Sequence, residues 1–500
     1  MTRPQEGEAA EARCEAPIVE EVRAEDWRAR CFEELGGGHF VTLYALSERG
    51  PRDPENAHPH AGPPATRRAV RAVFASRAGV RVLTCPTPEG RIPSLVDLLP
   101  AAAWAEREAH DLYGVRFDGH HPLRPLVAHP SDLAEWTLPV HGRDAYQVAV
   151  GPIHAGVIES GHFRFHVVGE SILHVDVRLF YKHRGLERAA EGSTLSEGLA
   201  YAQRACGACA VSNALAYAHA CESALGLTPP PELARARTLL LELERLYNHL
   251  HDIGAACAGI GFAPGAMTFA ALKERAQRVN LQLTGHRFLF GAVAVGRSDL
   301  TIAEDDAASA RRELVALGGD ARAAWHEVLF NASVQDRFFG VGVLPREDAL
   351  DIGAVGPVAR ASGVARDARL QTDRRLHYPR FALAALRHPT GDVSSRVNQR
   401  ALEVDATLVL LDDLLARPLG PAAAAPVTPA AALGAGLVES PRGETACLVE
   451  MSAGRLTRLH LRSASFANWP ALAHAAAGQL FPDFPLINKS FELCYACTDR

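Results

Sequence analysis

The sequence predicts an α+β protein with a small α+β N-terminal domain, residues 1–140, followed by a mainly helical domain, residues 141–500. Three observations support this prediction. Short apolar, β-branched segments bounded by Gly and Pro occur before residue 140. Long segments with apolar residues at helical spacing follow Leu195. The 500 residues also exceed one ordinary domain, which holds roughly 100–200 residues.

The first domain carries the clearest strand patterns. Alternating or β-branched residues predict strands at His39–Leu46, Ala69–Phe74 and Gly79–Cys85. A helix is expected at Ala101–Leu112 and should end at Gly114, because glycine adopts the left-handed conformation that closes helices. The Pro- and His-rich stretch that follows marks the exit from this domain.

The second domain begins with a hairpin and continues with long helical patterns. The hairpin is expected at His162–Val168 and Ile172–Leu179, around Gly169. The later elements form a longer set. Helical patterns cover Leu195–Leu225, Glu232–Ile253, Leu272–Val293, Ala307–Phe330 and Val393–Leu415, an Ala- and Pro-rich connector covers Pro418–Leu437, and strands are expected at Thr445–Met451 and Leu456–Leu461.

Composition excludes several classes of protein. The 52 Lys and Arg against 58 Asp and Glu give a formal net charge of −6, which argues against a nucleic-acid binder. Hydrophobic residues make up 48% of the chain, so disorder is not the main state. The acidic N-terminus lacks the apolar stretch of a signal peptide, and no run reaches the roughly 18 apolar residues of a membrane span. We therefore expect an intracellular chain without a membrane span of its own.

Two cysteine pairs carry the chemistry. Cys206 and Cys209 lie in the motif RACGAC, and Cys494 and Cys497 lie within the last seven residues. A CxxC pair places two sulfurs about one helical turn apart, close enough to bind one ion. Four thiolates form a soft ligand set for zinc, an iron–sulfur cluster or a late transition metal. We interpret the other six of the ten cysteines as packing residues: Cys14, Cys31, Cys85, Cys221, Cys257 and Cys447.

Other interpretations of these pairs stay open on residues alone. Free cysteines are often buried as small apolar groups, although two pairs in one chain make this weaker. A structural zinc site with four thiolates is a second alternative. A disulfide is disfavoured in a reducing cytosol.

Ordered motifs along some 430 positions resemble NiFe hydrogenase large subunits of the energy-converting, membrane-associated group. In the first domain the resemblance rests on EREAHDLYG (106–114) and FDGHHPLR (117–124). In the second it rests on the following motifs: GPIH (151–154), ESGHFR (159–164), HRGLE (183–187), RACGAC (204–209), ELERLYNH (242–249), GPVARASG (356–363), ESPRGE (439–444) and DFPLINKS (483–490). The resemblance implies a docking domain like the complex I 30-kDa subunit at residues 1–140 and a catalytic domain like its 49-kDa subunit at residues 141–500.

The resemblance also implies a reaction and a metal centre. These proteins interconvert protons plus electrons and H2 heterolytically at a Ni–Fe centre whose iron carries CO and cyanide. By motif position, Cys206 and Cys494 are expected as terminal nickel ligands, and Cys209 and Cys497 as bridges to the iron. Bound thiolates are deprotonated and strongly donating, which suits low-potential nickel chemistry.

Further residues receive roles from the same motifs. The two candidates for the base that takes the proton are the Cys494 thiolate and Arg442, which follows Pro441. Because arginine stays cationic, we expect Arg442 to act by charge and position and not as the base. Glu159 matches a glutamate that relays the proton outward, which requires burial to raise its pKa. Glu187 matches a carboxylate that in some relatives binds a third metal, magnesium or iron.

Two positions depart from the family pattern. Asn213 stands where a histidine is usual, and Glu492-Leu493 where Asp-Pro is usual. Glutamate keeps the charge of aspartate on a longer arm, whereas asparagine loses the titratable ring of histidine. Neither change removes a metal ligand, and Asn213, Pro441 and Glu492 are expected from their motif positions to contribute to binding of the metal centre.

We infer partner subunits from the cluster-binding motifs that this sequence does not contain. No further CxxC-rich segment is present for iron–sulfur clusters, so we expect a small subunit, like the complex I 20-kDa subunit, with a 4Fe–4S cluster. The resemblance adds ferredoxin-like and membrane antiporter-like subunits and a formate dehydrogenase, in a formate hydrogenlyase-like complex on the cytoplasmic face of the inner membrane. The alternative is a complex I-like NADH:quinone oxidoreductase subunit with a structural or quinone-site role and no Ni–Fe centre.

Overall fold

The computed structural model describes residues 16–47, 68–154, 159–371, 375–378, 384–425 and 432–500. The N-terminal residues that bear on a signal peptide, together with Cys14, lie outside the described residues. Within the described ranges, no helix combines the length and apolar character needed to cross a membrane. The chain folds as α+β, as the sequence predicts.

The N-terminal part is a four-stranded sheet in the order β1-β4-β3-β2 with helices packed against it. Its elements are β1 Ile18–Glu21, α1 Trp27–Leu35, β2 His39–Ser47, β3 Arg68–Ser76, β4 Gly79–Pro86, β5 Arg91–Pro93, α2 Ala103–Tyr113 and β6 Arg116–Asp118. The three predicted strands and the predicted helix are confirmed. Helix α2 ends at Gly114, whose φ of 66° is left-handed.

A three-stranded antiparallel sheet follows, and it leads into the helical part. Its strands are β7 Ala145–Val150, β8 His162–Val168 and β9 Ser171–Arg178. The predicted hairpin is thus confirmed, with Gly169 in the turn at φ 58°. Phe163 and Phe165 of β8 are fully buried and pack against Phe484 near the C-terminus.

Long helices dominate the rest of the chain. They are α3 Leu186–Ala190, α4 Leu195–Gln203, α5 Ala210–Leu225, α6 Pro231–Gly259, α7 Ala263–Thr284, α8 Glu304–Leu329, α9 Ala332–Phe338, α10 Arg346–Asp351, α11 Gly356–Ala361, α12 Ala368–Gln371, α13 Val393–Leu414, α14 Ala464–Ala476, α15 Phe484–Phe491 and α16 Tyr495–Asp499. The strands are β10 Arg297–Ser298, β11 Ala422–Ala423, β12 Leu433–Ser440, β13 Gly443–Ser452 and β14 Arg455–Arg462. The last three form an antiparallel sheet.

The expected helix at Leu195–Leu225 is wrong in its middle. The structure has two helices, α4 and α5, and the RACGAC motif lies in the break between them. The reason is tertiary: the first backbone N–H groups of α5 donate to the Glu244 carboxylate of α6. Such a buried acceptor satisfies the unpaired donors of a helix start, so the helix can begin there.

The expected connector at Pro418–Leu437 is also wrong in part, and residues 426–431 of it lie outside the described residues. Its last residues belong to β12, which is buried along its whole length. Small residues let β12 lie directly on helix α5. A Cβ atom on Gly434 would lie 2.0 Å from the Ala220 carbonyl oxygen, and one on Gly436 would lie 2.1 Å from the Ala216 oxygen.

The two parts of the chain share a core. Val41, Tyr44 and Val73 of the N-terminal sheet pack against Leu437 and Leu448 of the β12–β13–β14 sheet. Each such fully buried apolar side chain stabilises the fold by roughly 1.5–3 kcal/mol. Polar contacts cross the same interface. They are Arg71 Nη1 to Glu450 Oε1 at 2.5 Å, Arg462 Nε to the Val41 oxygen at 2.9 Å and His39 Nε2 to Glu444 Oε2 at 3.0 Å.

The contact between β12 and α5 gives a first prediction. Gly436→Ala is expected to lower the thermal midpoint by several degrees, because overpacking a core costs about 1–3 kcal/mol. The matched control is Gly319→Ala on the exposed face of α8, where no neighbour lies within 4 Å of the new Cβ atom. This control should be neutral or stabilising by about 0.5–1 kcal/mol. Equal midpoints for the two variants would contradict the close packing.

Candidate metal centre

Folding brings the two cysteine pairs together. The Sγ atoms of Cys206 and Cys494 lie 3.2 Å apart. The sulfurs of Cys206, Cys494 and Cys497 all lie within 4.8 Å of one another, the only such set of potential metal ligands among the described residues. Cys209 falls outside that set of three, but its side chain packs in the same cluster. Cys494 is partly exposed, whereas the other three are buried.

Helix α6 fixes the first pair. Glu244 Oε2 and Oε1 accept the N–H groups of Val211 and Ser212 at 2.6 and 3.0 Å. One turn later, Tyr247 Oη and Asn248 Nδ2 donate to the Ala208 oxygen at 2.9 and 2.8 Å. The loop that holds Cys206 and Cys209 is therefore tied to one face of a long helix.

Local contacts of the C-terminal segment fix the second pair. The backbone N–H of Cys494 donates to Ser465 Oγ at 2.9 Å, and that of Cys497 donates to Cys494 Sγ at 3.3 Å. The Thr498 hydroxyl donates to the Cys494 carbonyl oxygen and accepts the Trp469 indole N–H, both at 3.0 Å. The two sulfurs thus lie at either end of the first turn of α16.

Arg442 lies beside the sulfurs at the tip of the β12–β13 hairpin. Its Nη1 donates to Cys209 Sγ at 3.5 Å and to Asn248 Oδ1 at 3.0 Å, and its Nη2 lies 3.7 Å from Asp252 Oδ1. Burial opposes its charge, but Asp252 and the neighbouring sulfurs raise the pKa of Arg442 well above its ordinary value. The guanidinium therefore stays cationic.

The backbone conformation of the β12–β13 turn allows Arg442 to approach the cysteines. Pro441 is buried in the turn before Arg442. The next residue, Gly443, has a φ of 125°, and a Cβ atom there would lie 2.6 Å from the Gly356 nitrogen. Conversely, a Cβ atom on Gly356 would lie 2.4 Å from the Arg442 oxygen. Two glycines in contact let the hairpin reach the cysteines.

The donor set fits a soft cation. Hydrogen bonds from the sulfurs of Cys209, Cys494 and Cys497 lower the pKa of Cys206, and the presence of Cys206 raises the pKa of each of the other three thiols. Ionisation of one of these thiols therefore opposes ionisation of the others. A thiophilic metal ion would supply positive charge that favours several thiolates together.

The remaining predicted residues are spread around the cluster. Asn213 Nδ2 lies 3.9 Å from Cys497 Sγ. The Glu492 side chain points to His251, with Oε1 and Nε2 3.3 Å apart, while its backbone oxygen accepts from Arg442 Nε. Glu159 is exposed and follows residues 155–158, which lie outside the described residues. The burial expected of a proton relay is not seen at Glu159, and its role stays a prediction.

Glu187 does not fit a third metal ion. Its carboxylate accepts from Arg500 Nη1 at 3.0 Å and from the Leu461 N–H at 2.9 Å. His460 Nδ1 and Arg458 Nη2 lie 3.3 and 3.5 Å away. Burial opposes ionisation, but Arg500, His460 and Arg458 together keep the pKa of Glu187 well below its ordinary range. The carboxylate is already neutralised by protein cations.

Sequence reasoning missed residues on α6 that shape the site. Glu244, Asn248 and Asp252 recur every four residues, which places them on one face of the helix. All three are buried, and they contact the cysteine loop or Arg442. The i, i+4 recurrence of these three polar residues is the signal that would have found them.

Comparisons with known proteins agree with this architecture. The family described as "Respiratory-chain NADH dehydrogenase, 30 Kd subunit" matches residues 22–140. The corresponding 49 Kd subunit family matches residues 260–426 and 422–500. The family "Nickel-dependent hydrogenase" matches residues 184–252, which contain the first cysteine pair. Fold and site thus define a chain of the complex I-related class that carries a four-cysteine site.

Individual relatives narrow the class. Formate hydrogenlyase subunit 5 of Escherichia coli is 32% identical, over 82% of this chain and 77% of the relative. Hydrogenase-4 component G of the same organism is 31% identical, over 94% and 82%. The solved archaeal membrane-bound sulfane sulfur reductase shares the fold at a TM-score of 0.66 and 25% identity, over 71% of this chain and 99% of that one. The chain belongs to the hydrogenase family that includes formate hydrogenlyase subunit 5 and hydrogenase-4 component G.

Glu244 gives a prediction with a pH dependence. Burial raises the pKa of Glu244 to about 7, above the 4.5 of an unfolded chain. The folded state therefore holds this proton more tightly, and stability falls as pH rises from about 4.5 to 7. Glu244→Gln stays neutral, so its thermal midpoint should fall less than the wild-type midpoint between pH 5 and 8. The exposed Glu327→Gln serves as the control, and a parallel decline for Glu244→Gln would refute the assignment.

Proposed function

We propose that the chain is the catalytic subunit of a NiFe hydrogenase that interconverts two protons and two electrons with H2. The observation that carries this proposal is the cluster of four cysteine side chains, three of them buried, with the cationic Arg442 beside it. The family model for nickel-dependent hydrogenases, which matches around the first pair, supports it. A soft donor set with a fixed positive charge suits heterolytic chemistry at a thiophilic metal.

Four residues would hold the metals. Cys206 and Cys494 are proposed as terminal nickel ligands, and Cys209 and Cys497 as bridges to an iron with CO and cyanide. When bound, such a centre supplies the Lewis acidity and redox steps for H2. Glu187 is not included as a ligand, because its carboxylate is paired with Arg500.

The protein residues supply charge and proton transfer. Arg442 holds a guanidinium beside the sulfurs and orients small reactants without losing its proton. Cys494 is the most exposed of the four cysteines, which suits a thiolate that takes up a proton and passes it on. Glu159, which is exposed, is proposed to receive protons at the surface.

Electrons need a route out of the protein. We propose a small subunit with a 4Fe–4S cluster as the first acceptor, with ferredoxin-like and membrane antiporter-like subunits beyond it. A formate dehydrogenase would complete a formate hydrogenlyase-like complex. The names of the relatives, such as "subunit 5" and "component G", describe parts of larger assemblies. Attachment to the cytoplasmic face of the inner membrane would be through these partners.

A second candidate is a complex I-like NADH:quinone oxidoreductase subunit without a Ni–Fe centre. It is favoured by the 49 Kd subunit family, which matches a longer stretch than the hydrogenase family does. A structural zinc site is a third outcome of the same donor set. Metal analysis separates these candidates.

The purified complex, made with its maturation machinery, is expected to contain one nickel per chain and to reduce a redox dye with H2. Cys206→Ser should lose nickel and at least 10³-fold of this activity, because a hydroxyl is a poor ligand for a soft metal. Cys257→Ala, at an isolated buried cysteine, should keep both. Stoichiometric zinc without nickel, or metal-free protein, would overturn the proposal.

Arg442 is tested separately from metal binding. Arg442→Lys keeps the positive charge but loses the two guanidinium nitrogens that reach Asn248 and Asp252. We expect normal nickel content with H2 oxidation reduced roughly 10²-fold, the typical effect of removing one oriented electrostatic group. The exposed Arg417→Lys is the matched control. Full activity in Arg442→Lys would show that the guanidinium geometry is not used.

A further inference from the structure

We propose that the side chain of Arg500 supplies the positive charge where the family resemblance implies a third metal. We further propose that Glu108 of the N-terminal domain, by binding Arg500, positions the C-terminal cysteine pair. The first part concerns the charge arrangement alone. The positioning part rests on the proposed function, since it concerns the segment that would hold nickel.

The guanidinium of Arg500 is enclosed by acceptors. Its Nη1 donates to Glu187 Oε1 at 3.0 Å and to the Leu461 carbonyl oxygen. Its Nη2 donates to Glu108 Oε1, and its carbon lies 5.1 Å from the centre of the Phe466 ring. Arg500 is only 2% exposed. Two carboxylates and a carbonyl oxygen are the ligands that a magnesium ion would use, and here they bind a guanidinium.

Binding of a divalent cation at Glu187 is electrostatically unfavourable. Glu187 already lies within 3.5 Å of Arg500, Arg458 and His460. Arg458 also pairs with Glu191 at 3.4 Å and lies over the Tyr113 ring at 5.0 Å. A metal ion added at Glu187 would stand beside the guanidinium groups of Arg500 and Arg458 and be repelled. Arg500 is therefore a built-in replacement for the ion.

The same contacts fix the segment that carries the cysteines. The Arg500 oxygen accepts the Arg184 N–H at 2.8 Å. The Asp499 carboxylate accepts the N–H groups of Phe180 and Lys182 at 2.8 and 2.9 Å. Cys497 lies one helical turn before Arg500, so its sulfur cannot shift independently of this anchor.

Glu108 makes the anchor a contact between domains. It lies on α2, 392 positions from Arg500 in the chain, and is buried. A buried carboxylate that binds a buried guanidinium is costly to break, because the partner is left unpaired. The N-terminal domain, expected from sequence to serve only for docking, thus reaches to within one helical turn of a proposed metal ligand.

Hydrogen–deuterium exchange tests the positioning role in the purified complex. Glu108→Gln is expected to raise exchange of residues 494–500 at least 10-fold. The matched control is Glu450→Gln, which breaks a different ion pair between the same domains, that of Arg71 with Glu450. The control should leave exchange at 494–500 unchanged. Unchanged exchange in Glu108→Gln, or equal increases in both variants, would overturn the inference.

A second variant covers the case in which Glu108→Gln does not fold. Arg500→Lys keeps one positive charge but cannot reach both carboxylates. Faster exchange at 494–500 supports the anchor, and wild-type exchange contradicts it.

A magnesium titration tests whether Arg500 replaces the metal ion. Magnesium added to the wild-type complex should not bind at Glu187. Stoichiometric magnesium that is lost in Glu187→Gln would overturn it.

Metal content separates this inference from the proposed function. Faster exchange of residues 494–500 in Glu108→Gln, together with the absence of nickel from the wild-type complex, would reject the hydrogenase assignment and support the anchor. Normal nickel with wild-type exchange in Glu108→Gln would reject the anchor and keep the hydrogenase assignment. If both proposals hold, Glu108→Gln should also lower the nickel content per chain by at least 2-fold, while Glu450→Gln keeps it.

Discussion

Four cysteine side chains, three of them buried, cluster beside the guanidinium of Arg442, and the surrounding structure holds them there. Two thiolates about 4 Å apart repel each other by roughly 4 kcal/mol at an effective dielectric constant near 20. Arg442 offsets only part of this repulsion. Hydrogen bonds to the backbone of both cysteine-bearing segments hold the sulfurs in place, and a thiophilic cation would complete the charge balance.

Helix α6 carries most of this rigidity. One face presents Glu244, Asn248 and Asp252 to the cysteine loop and to Arg442. The other buries Glu242 and His249 among charged residues of neighbouring elements. Those ion pairs and hydrogen bonds join Glu242 to Arg245, His249 to Glu403, and Arg360 to Glu403 and Glu439. Because breaking a buried pair strands a charge, the network resists displacement, and α6 serves as a fixed frame.

The sequence was sufficient for elements set by local pattern. Alternation and Gly placement gave β2, β3, β4, the β8–β9 hairpin and the end of α2. It was insufficient where a tertiary contact decides. The break before α5 depends on Glu244, which is distant in sequence from the residues it caps. Strand β12 has the Ala and Gly content of a connector, yet those small residues are what close packing on α5 requires.

The same distinction applies to the site. Motif position identified the cysteines and Arg442, because each stands in a short, ordered signature. It could not identify the partner of Glu187, since the choice between a metal ion and a guanidinium depends on where the last residue of the described chain folds. Arg500 reaches Glu187 because α16 is turned inward by the Asp499 contacts to Phe180 and Lys182.

The contacts around the cysteine cluster give a physical reason why the two domains pack together. The N-terminal sheet covers the β12–β13–β14 sheet with apolar side chains, which shields the hairpin that presents Arg442. Helix α2 then places Glu108 against Arg500, close to the second cysteine pair. The hairpin that presents Arg442 and the C-terminal turn that carries the second cysteine pair are thus both supported by contacts with the N-terminal domain. A domain attached only by a flexible linker could not give either segment this support, so the shared core belongs to the construction of the site itself.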